Sequence, residues 1–335
     1  MGSIGKISLV VDPTNMITVS EVTVLRNAQV PPEFLFAYLA SPTGQSQIER
    51  EITGATGQQH LLKSKAARIL IPGVPDGIEK PLQAAVSEAY NRQEAARLAY
   101  TEAEALLESA LKLDKLDLTP RLFYERSYAD VQTATRFDAE YFQPRMQNLI
   151  AALSRDGQTI GGVAKLSKRH FKAKTGVEFQ YIEIGDISGN GTAESNPVAG
   201  EEAPSRATWI VKPGDIITTT VRPIRRLTAI ITDKQAGHVC SSGFAVLTPN
   251  DIAPELLLVY LRLPLVSELL DLHTTASMYP AISTADLMKI PVALPDEATR
   301  QKIVAKVGES FDARRESHRL LEEAKAMVEQ AILGG

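Results

Sequence analysis

The sequence predicts an α+β fold in which one structural unit occurs twice. The apolar helical segment at residues 32–39 returns at 254–261, and the helical segment at 103–111 returns at 324–332, each after about 220 residues. A constant spacing over so much of the chain indicates an internal duplication rather than chance similarity. Between the copies lie short β-rich segments separated by turn residues, which favour a compact, curled sheet.

The first copy is predicted to begin with two short strands, at residues 7–11 and 21–25, on either side of a turn. Residues 67–72 also have a strand composition, and Pro72 would end that strand. The elements between them are two helices and a glycine-bearing polar loop, at residues 32–40, 45–52 and 53–60.

A long helix is predicted in each copy. After Pro81, which suits a first helical turn, residues 82–110 carry seam residues at alternating steps of four and three, and residues 303–331 repeat those steps. Neither seam is strongly apolar, so each helix alone would be marginally stable. We predict that the two helices pack antiparallel as a coiled coil; the alternative is that each packs on its own globular domain.

A polar break at residues 116–120 is the predicted domain boundary, and an amphipathic helix over residues 136–153 follows it. Asp138 is a candidate cap of that helix. Pro213 and Gly214 form a predicted turn before one of the later strands. The predicted strands lie at residues 179–184, 215–220, 227–231 and 244–247.

Length and composition indicate a globular protein of two or three domains. No apolar run approaches the ~20 residues of a membrane-spanning helix, and the residues after Met1 lack a signal-peptide pattern. The single cysteine, Cys240, excludes an internal disulfide and favours a reducing compartment, so we predict a cytoplasmic protein. A formal net charge of −4 argues against a protein that coats nucleic acid by charge alone.

Four motifs follow one another in a distinctive order, RFDAEYF at 136–142, YIEIGDI at 181–187, PGDI at 213–216 and YPAISTADL at 279–287. Two further prolines and the second long helix come after them. This order and spacing resemble the specificity (S) subunit of type I restriction–modification enzymes, over essentially the whole chain. The resemblance implies two target-recognition domains, each followed by a long conserved helix, and an antiparallel coiled coil of the two helices.

The resemblance divides the chain into four parts. They are a partial first target-recognition domain, the first long conserved helix, a complete second target-recognition domain and the second long conserved helix, at residues 1–78, 79–116, 117–295 and 296–335. Residues 3–7 correspond best to residues 223–227, so the first domain lacks approximately the equivalent of residues 125–222. We therefore expect only the second domain to read DNA as a complete unit.

The resemblance also implies function and partners. The chain would choose the DNA sequence at which separate subunits methylate adenine or initiate restriction. The implied partners are double-stranded DNA, two modification (methyltransferase) subunits docking on the long helices, and restriction subunits recruited beyond them. No small-molecule cofactor, metal or catalytic residue is expected in this chain.

Two basic clusters are candidate DNA contacts. The first is a run without an acidic residue, at Lys165, Lys168, Arg169, Lys172 and Lys174. The second, at Arg222, Arg225 and Arg226, follows directly on a predicted strand. Lysine and arginine neutralise phosphates, and arginine can also bind guanine through two hydrogen bonds. The alternative is that both clusters are solvated loop charges.

A loop in each copy adds four more candidates. Ser277 and Tyr279 lie in a loop that takes the place of residues 53–60, where Gln58 and Gln59 have base-reading chemistry. This loop resembles the small-residue loop that lies near DNA in the family, and Tyr279 could stack or hydrogen-bond there. The alternative is a tight connection with a partly buried tyrosine.

Other functions find less support in the sequence. It contains neither the Asn/Asp-Pro-Pro-aromatic motif of base methylation nor a glycine-rich turn for S-adenosylmethionine, and residues 2–6 lack the glycine spacing of a phosphate loop. His238 and Cys240 are too few for a metal site. The main alternative is a coiled-coil scaffold that binds proteins without reading DNA. A third is the recognition part of a single-chain methyltransferase–nuclease, which predicts one repeat rather than two.

Overall fold

A computed structural model describes residues 4–11, 17–19, 22–54, 60–275 and 278–334. Its contacts divide the chain into two compact units. Unit 1 contains Met1–Leu98 and Glu309–Gly335, and unit 2 contains Ala99–Gly308. Both boundaries fall inside long helices.

The described residues form both helices and strands, which confirms the predicted α+β class with two long helices. The helices are α1 (Pro32–Ala40), α2 (Pro42–Glu51), α3 (Lys63–Ala66), α4 (Glu79–Ala110), α5 (Tyr128–Ala134), α6 (Ala139–Phe142), α7 (Pro144–Ser154), α8 (Ile160–Val163), α9 (Pro254–Arg262), α10 (Pro264–Leu272), α11 (Thr284–Leu287) and α12 (Glu297–Leu333). The strands are β1 (Gln158–Thr159), β2 (Ala164–Leu166), β3 (Phe179–Ile182), β4 (Asn196–Val198), β5 (Ala207–Ile210), β6 (Ile216–Thr219), β7 (Thr228–Ile230), β8 (Val239–Ser241), β9 (Phe244–Pro249), β10 (Thr274–Thr275), β11 (Ala281–Ile282) and β12 (Pro291–Val292).

Unit 1 is built on helix packing. Prolines begin α1 and α2, where a missing N–H costs no hydrogen bond, and the Ser41 hydroxyl accepts a bond from the Gly44 N–H to cap α2. Phe34 and Tyr38 of α1 are buried against α4 and α12. This apolar cluster supplies the main hydrophobic stabilisation of unit 1.

The two long helices pair antiparallel. In unit 1 the Ser310 hydroxyl donates to the Ala96 carbonyl at 2.7 Å and the Ser317 hydroxyl to the Ala89 carbonyl at 2.8 Å, all within the buried seam. In unit 2 the Lys306 ammonium lies 3.0 Å from the Glu102 carboxylate. Residue numbers rise on one helix as they fall on the other, so the predicted antiparallel pairing is confirmed.

Unit 2 contains two four-stranded sheets, with strand orders β2-β9-β6-β7 and β4-β3-β8-β5. Their buried faces share one core, which includes Ile182, Ile217, Phe244 and Val246. Gly214 has φ +80°, as the predicted turn before β6 requires. Two further strand pairs, β1–β12 and β10–β11, form small two-stranded sheets.

The duplication is visible as a repeated hydrogen bond. The Tyr38 hydroxyl donates to the carbonyl of Leu70 at 2.9 Å in unit 1, and the Tyr260 hydroxyl donates to the carbonyl of Pro291 at 2.5 Å in unit 2. The donors occupy matching helices and the acceptors lie at matching distances along the chain. The repeat therefore specifies the same helix-to-segment contact in both copies.

The predicted strands of the first copy are wrong for the residues described there. Residues 4–11, 17–19 and 22–31 contain neither a helix nor a strand; residues 12–16, 20 and 21 lie outside the described part. Val10 is 55% and Val24 49% exposed. A strand is stable only when it pairs and buries one face, and β propensity alone supplies neither.

Two other predicted elements also differ. Residues 67–72 form no strand, because the Leu70 main chain bonds to side chains: its N–H donates to Gln47 and its carbonyl accepts from Gln47 and Tyr38. The single helix predicted over 136–153 is two helices, α6 and α7. Gln143 between them is extended because Pro144 follows it.

Candidate nucleic-acid interface

Residues 222–226, which we call the arginine loop, connect β6 to β7. Pro223–Arg225 form a 3-10 turn, with Arg222 (φ 51°) before it and Arg226 (φ 56°) after it, both left-handed. Few residues other than glycine adopt this conformation. Arg225 and Arg226 are exposed. The loop therefore presents two adjacent cations on a tightly folded turn.

The hairpin of β10 and β11 lies beside this loop. The Arg222 N–H donates to the Pro280 carbonyl at 2.7 Å, and the Ile282 N–H donates to the Thr220 carbonyl at 2.9 Å. The Arg222 guanidinium lies 5.4 Å from the centroid of the Tyr279 ring and donates to the Met278 carbonyl at 3.3 Å. The predicted arginine cluster and the predicted Tyr279 thus lie side by side through Arg222.

Three predicted candidates cannot be placed on this surface. Ser277, Gln58 and Gln59 lie outside the described residues. Tyr279 is described and is 66% exposed, so most of its side chain is open to solvent.

Arg206 joins the same surface and is missed by the sequence analysis. The Ser242 N–H donates to the Arg206 carbonyl at 2.7 Å, and the Thr220 N–H donates to the Gly243 carbonyl at 2.9 Å. These bonds place the start of β5 next to the β8–β9 turn, and that turn next to the end of β6. We group the exposed residues Arg206, Arg225, Arg226 and Tyr279 with the half-buried Arg222, because these backbone bonds bring their segments together, and call them the arginine face.

Arg206 stands alone in the sequence, without a neighbouring cation or motif. Only the pairing of strands that are distant along the chain brings it to the face. No motif or run of charges in the sequence marks Arg206 as part of the site.

Arg169 is held by a buried carboxylate in this structure. Its guanidinium forms an ion pair with Asp215, whose side chain is 2% exposed, and donates to the Ile210 carbonyl at 3.1 Å. The same carboxylate accepts bonds from the Lys212 N–H at 2.8 Å and the Thr248 hydroxyl at 2.7 Å. The half-buried Arg169 therefore completes the hydrogen bonding and balances the charge of the buried Asp215.

The four lysines of the predicted run are exposed but do not form one patch. Lys165 lies on β2 opposite Thr248. Lys172 follows Phe171, whose N–H donates to the Thr208 carbonyl at 2.8 Å, so it lies beside β5 near the arginine face. The Lys174 carbonyl packs against Gly200, where an added Cβ would come within 2.0 Å. The run, which also includes Lys168, thus extends from one sheet to the other.

The 136–142 motif fixes the base of the Tyr279 hairpin. Arg136 donates to the Leu272 carbonyl at 2.9 Å, contacts His273 Nδ1 at 3.2 Å and pairs with Asp138 at 2.8 Å. The Asp138 carboxylate accepts from the Tyr141 N–H, so the predicted cap is confirmed. Because β10 begins directly after His273, this network determines where the hairpin starts.

Other chemistry is sparse in the described ranges. They contain no group of three or more His, Cys, Asp or Glu side chains that could hold a metal ion. Burial raises the pKa of Cys240 to about 12, with a smaller contribution from the negative charge of Asp215. Burial lowers the pKa of His238. Among the same residues, none of the helices is both long and apolar enough to span a bilayer.

Comparison with known proteins gives partial matches. No protein-family model matches the chain. Over 150 residues it is 23% identical to the specificity subunit of the type I restriction enzyme HindI from Haemophilus influenzae, which covers 44% of this chain and 33% of that protein. The aligned part therefore spans about a third of that relative's length.

Two solved structures are also similar. The HsdS subunit from Thermoanaerobacter tengcongensis is 28% identical over 50% of this chain and 44% of its own, with a TM-score of 0.40. The S subunit of a type I restriction–modification system from M. genitalium is 15% identical over 90% of this chain and 73% of its own, with a TM-score of 0.39. The similarity of this chain is to type I specificity subunits.

Proposed function

We propose that this chain is the DNA sequence-recognition subunit of a type I restriction–modification complex, directing adenine methylation and restriction by separate subunits. The observation that carries the proposal is the arginine face. It joins cations from two distant segments and a tyrosine from a third through backbone hydrogen bonds, on a chain whose formal net charge is −4. Exposed arginines held on ordered turns supply both phosphate neutralisation and base readout.

Roles within the face follow from exposure and contacts. Arg225 and Arg226 are exposed and suit phosphates, whereas Arg222 is half-buried and held by the ring of Tyr279 and the carbonyl of Met278. A guanidinium fixed in this way loses less side-chain entropy on binding a base edge. We therefore propose Arg222 as the base-reading residue of the loop and its neighbours as backbone contacts.

Further contacts would surround the face. Lys172 would extend it along β5 from Arg206, and Lys165, Lys168 and Lys174 would contact phosphates farther out. Ser277, Gln58 and Gln59 remain proposals from the sequence. Arg169 is left out because Asp215 holds its guanidinium.

The assembly is part of the proposal. Modification subunits would dock on α4 and α12, restriction subunits would join beyond them, and duplex DNA would bind the recognition domain at residues 117–295. The similarity to a specificity subunit and the antiparallel pairing of the two helices support this arrangement. A cytoplasmic location fits the reduced, buried Cys240.

A salt titration tests the proposal. Binding to random duplex DNA is measured by fluorescence anisotropy at several salt concentrations, with and without modification subunits. The variant R222A/R225A/R226A should bind more weakly and show a shallower salt dependence, by about 0.9 in the log–log slope for each phosphate that it no longer neutralises.

The control removes three exposed arginines from the long helices of unit 1, in R92A/R315A/R319A, and should keep the wild-type slope in the titration without modification subunits, because those helices are the proposed docking surface. Absence of DNA binding in every condition, while the modification subunits still associate, would favour the scaffold function instead.

A further inference from the structure

Arg262 is a buried cation that contacts the arginine face from beneath. It ends α9 and is 5% exposed. Its Nε donates to the Tyr100 hydroxyl at 2.8 Å, its Nη1 to the carbonyls of Arg226 and Thr228 at 3.0 and 3.3 Å, and its Nη2 to the Gly189 carbonyl. The guanidinium carbon also lies 5.3 Å from the centroid of the Tyr100 ring. Three separate segments therefore meet at one side chain.

Two of those segments are turns whose carbonyl groups accept hydrogen bonds from Arg262. Arg226 is left-handed, and its carbonyl is one acceptor of Arg262. Gly189 lies in a turn that packs on α9, where a Cβ added to Gly191 would come within 3.1 Å of Leu258. The Ile230 N–H donates to the Gly191 carbonyl at 3.1 Å, which ties this turn to β7.

The third segment is the long helix α4, which supplies a hydroxyl and a charge. Tyr100 accepts a hydrogen bond from Arg262, and Glu104 lies one helical turn farther along. Burial raises the pKa of Glu104, and the positive charges of Arg262 and Arg226 act in the opposite direction. The positive charges of the buried Arg262 and of Arg226 in the arginine loop thus both act on the Glu104 carboxylate of α4.

We propose that Arg262 is a positioning residue that fixes the arginine loop on α4 in the conformation that presents Arg222, Arg225 and Arg226. The rigid fork of a guanidinium can donate to two loops and a phenol at once, whereas lysine has a single nitrogen. The expected effect on DNA binding rests on the function proposed above, whereas the claim that Arg262 holds the arginine loop on α4 does not.

The test compares R262K with R300K. Arg300 is a half-buried arginine of the same unit whose guanidinium donates to the nearby Pro295 carbonyl at 2.7 Å and pairs with Glu297, so it controls for the chemical change. The first readout is hydrogen–deuterium exchange without DNA. In R262K, amides of residues 222–228 and 188–192 should exchange about tenfold faster or more, because local opening becomes easier. R300K should exchange there like the wild type.

The second readout is the salt dependence of binding to random duplex DNA, at a temperature where circular dichroism shows both variants folded. R262K should have a shallower slope, by up to about 0.9 for each phosphate that the displaced arginines no longer neutralise. A purely structural role would lower the melting temperature of R262K and leave its slope unchanged. Should R262K not fold, Y100F replaces it, since it removes the hydroxyl acceptor and keeps the ring.

The outcomes separate the two proposals. Unchanged exchange in both turns overturns the positioning role, and so does an unchanged salt slope in R262K when R222A/R225A/R226A lowers it. If the wild-type chain binds no DNA at any salt concentration, the proposed function fails, while the exchange experiment still decides whether Arg262 holds the loop.

Discussion

The guanidinium of Arg222 lies over the ring of Tyr279, 5.4 Å from its centroid, although the two residues belong to different turns of unit 2. The hydrogen bond from the Arg222 N–H to the Pro280 carbonyl holds the two turns together at their bases. The tyrosine therefore orients a cation in addition to offering its own exposed ring. This double role makes its ring and its hydroxyl separable by mutation.

Replacing Tyr279 by alanine should weaken DNA binding by about two- to fivefold, the value of an exposed cation–π contact of ~0.5–1 kcal/mol. Y279F keeps the ring and should bind like the wild type. Because Tyr279 is 66% exposed, neither change should alter the free energy of unfolding by more than ~0.5 kcal/mol. Anisotropy titrations and urea unfolding measure the two quantities. Equal weakening in Y279F and Y279A would show that the hydroxyl, not the ring, makes the contact.

Asp215 should be far more important for stability than for binding. Its replacement by alanine leaves Arg169 without its ion pair and removes the acceptor of the Lys212 N–H and the Thr248 hydroxyl. Leaving buried donors unsatisfied costs ~1–3 kcal/mol, and loss of the ion pair to the half-buried Arg169 adds to this, so D215A should lower the urea midpoint. D286A is the matched control, because Asp286 pairs with Lys289 at the surface and exposed pairs contribute less than ~1 kcal/mol. Similar unfolding free energies for the two variants would contradict this assignment.

Sequence reasoning succeeded where the signal is local. The predicted helix at residues 32–40 matches α1 at both ends, because the apolar spacing and the proline at its start act within a few residues. The predicted antiparallel long helices were also correct, since the same seam occurs twice. The strands predicted before residue 30 were wrong, because a strand requires a partner that local composition does not reveal.

The candidate site shows the same division. Arg222, Arg225 and Arg226 were recognised as a cluster because they are adjacent in the sequence, and their contact with DNA stays a prediction. Arg206 was missed because it reaches the face only through Ser242. Arg169 was included with the lysines because its buried partner lies on a distant segment that no spacing rule connects to it.

The seam between α4 and α12 should tolerate removal of a hydroxyl but not added volume. Ser317 is buried, and its hydroxyl donates to the Ala89 carbonyl at 2.8 Å, so the backbones approach closely there. S317A should change the free energy of unfolding by less than ~1 kcal/mol. S317L should destabilise by ~1–3 kcal/mol or more, because a tightly packed seam has no space for the larger side chain. Thermal and urea unfolding of both variants test this, and equal effects would mean that the seam is loosely packed.

The stability of unit 2 should fall at mildly acidic pH because of His273. Burial is the largest effect that lowers its pKa below the ordinary 6.5, and the positive charge of Arg136 adds to it. Asp286 and Asp138 oppose this shift, and Lys289 contributes to it. As the pH falls through about 6.5, the unfolded chain binds a proton at this position before the folded chain does. The contribution is therefore fully present above that value and is lost as the pH falls toward the lowered pKa.

The measurement is the melting temperature as a function of pH, between about pH 7.5 and pH 5, for the wild type and H273N. The wild type should lose more stability than H273N across this range. His238, whose pKa burial also lowers, is present in both proteins, so its contribution cancels in the comparison. Parallel curves for the wild type and H273N would show that burial and the charge of Arg136 do not keep His273 neutral in the folded protein.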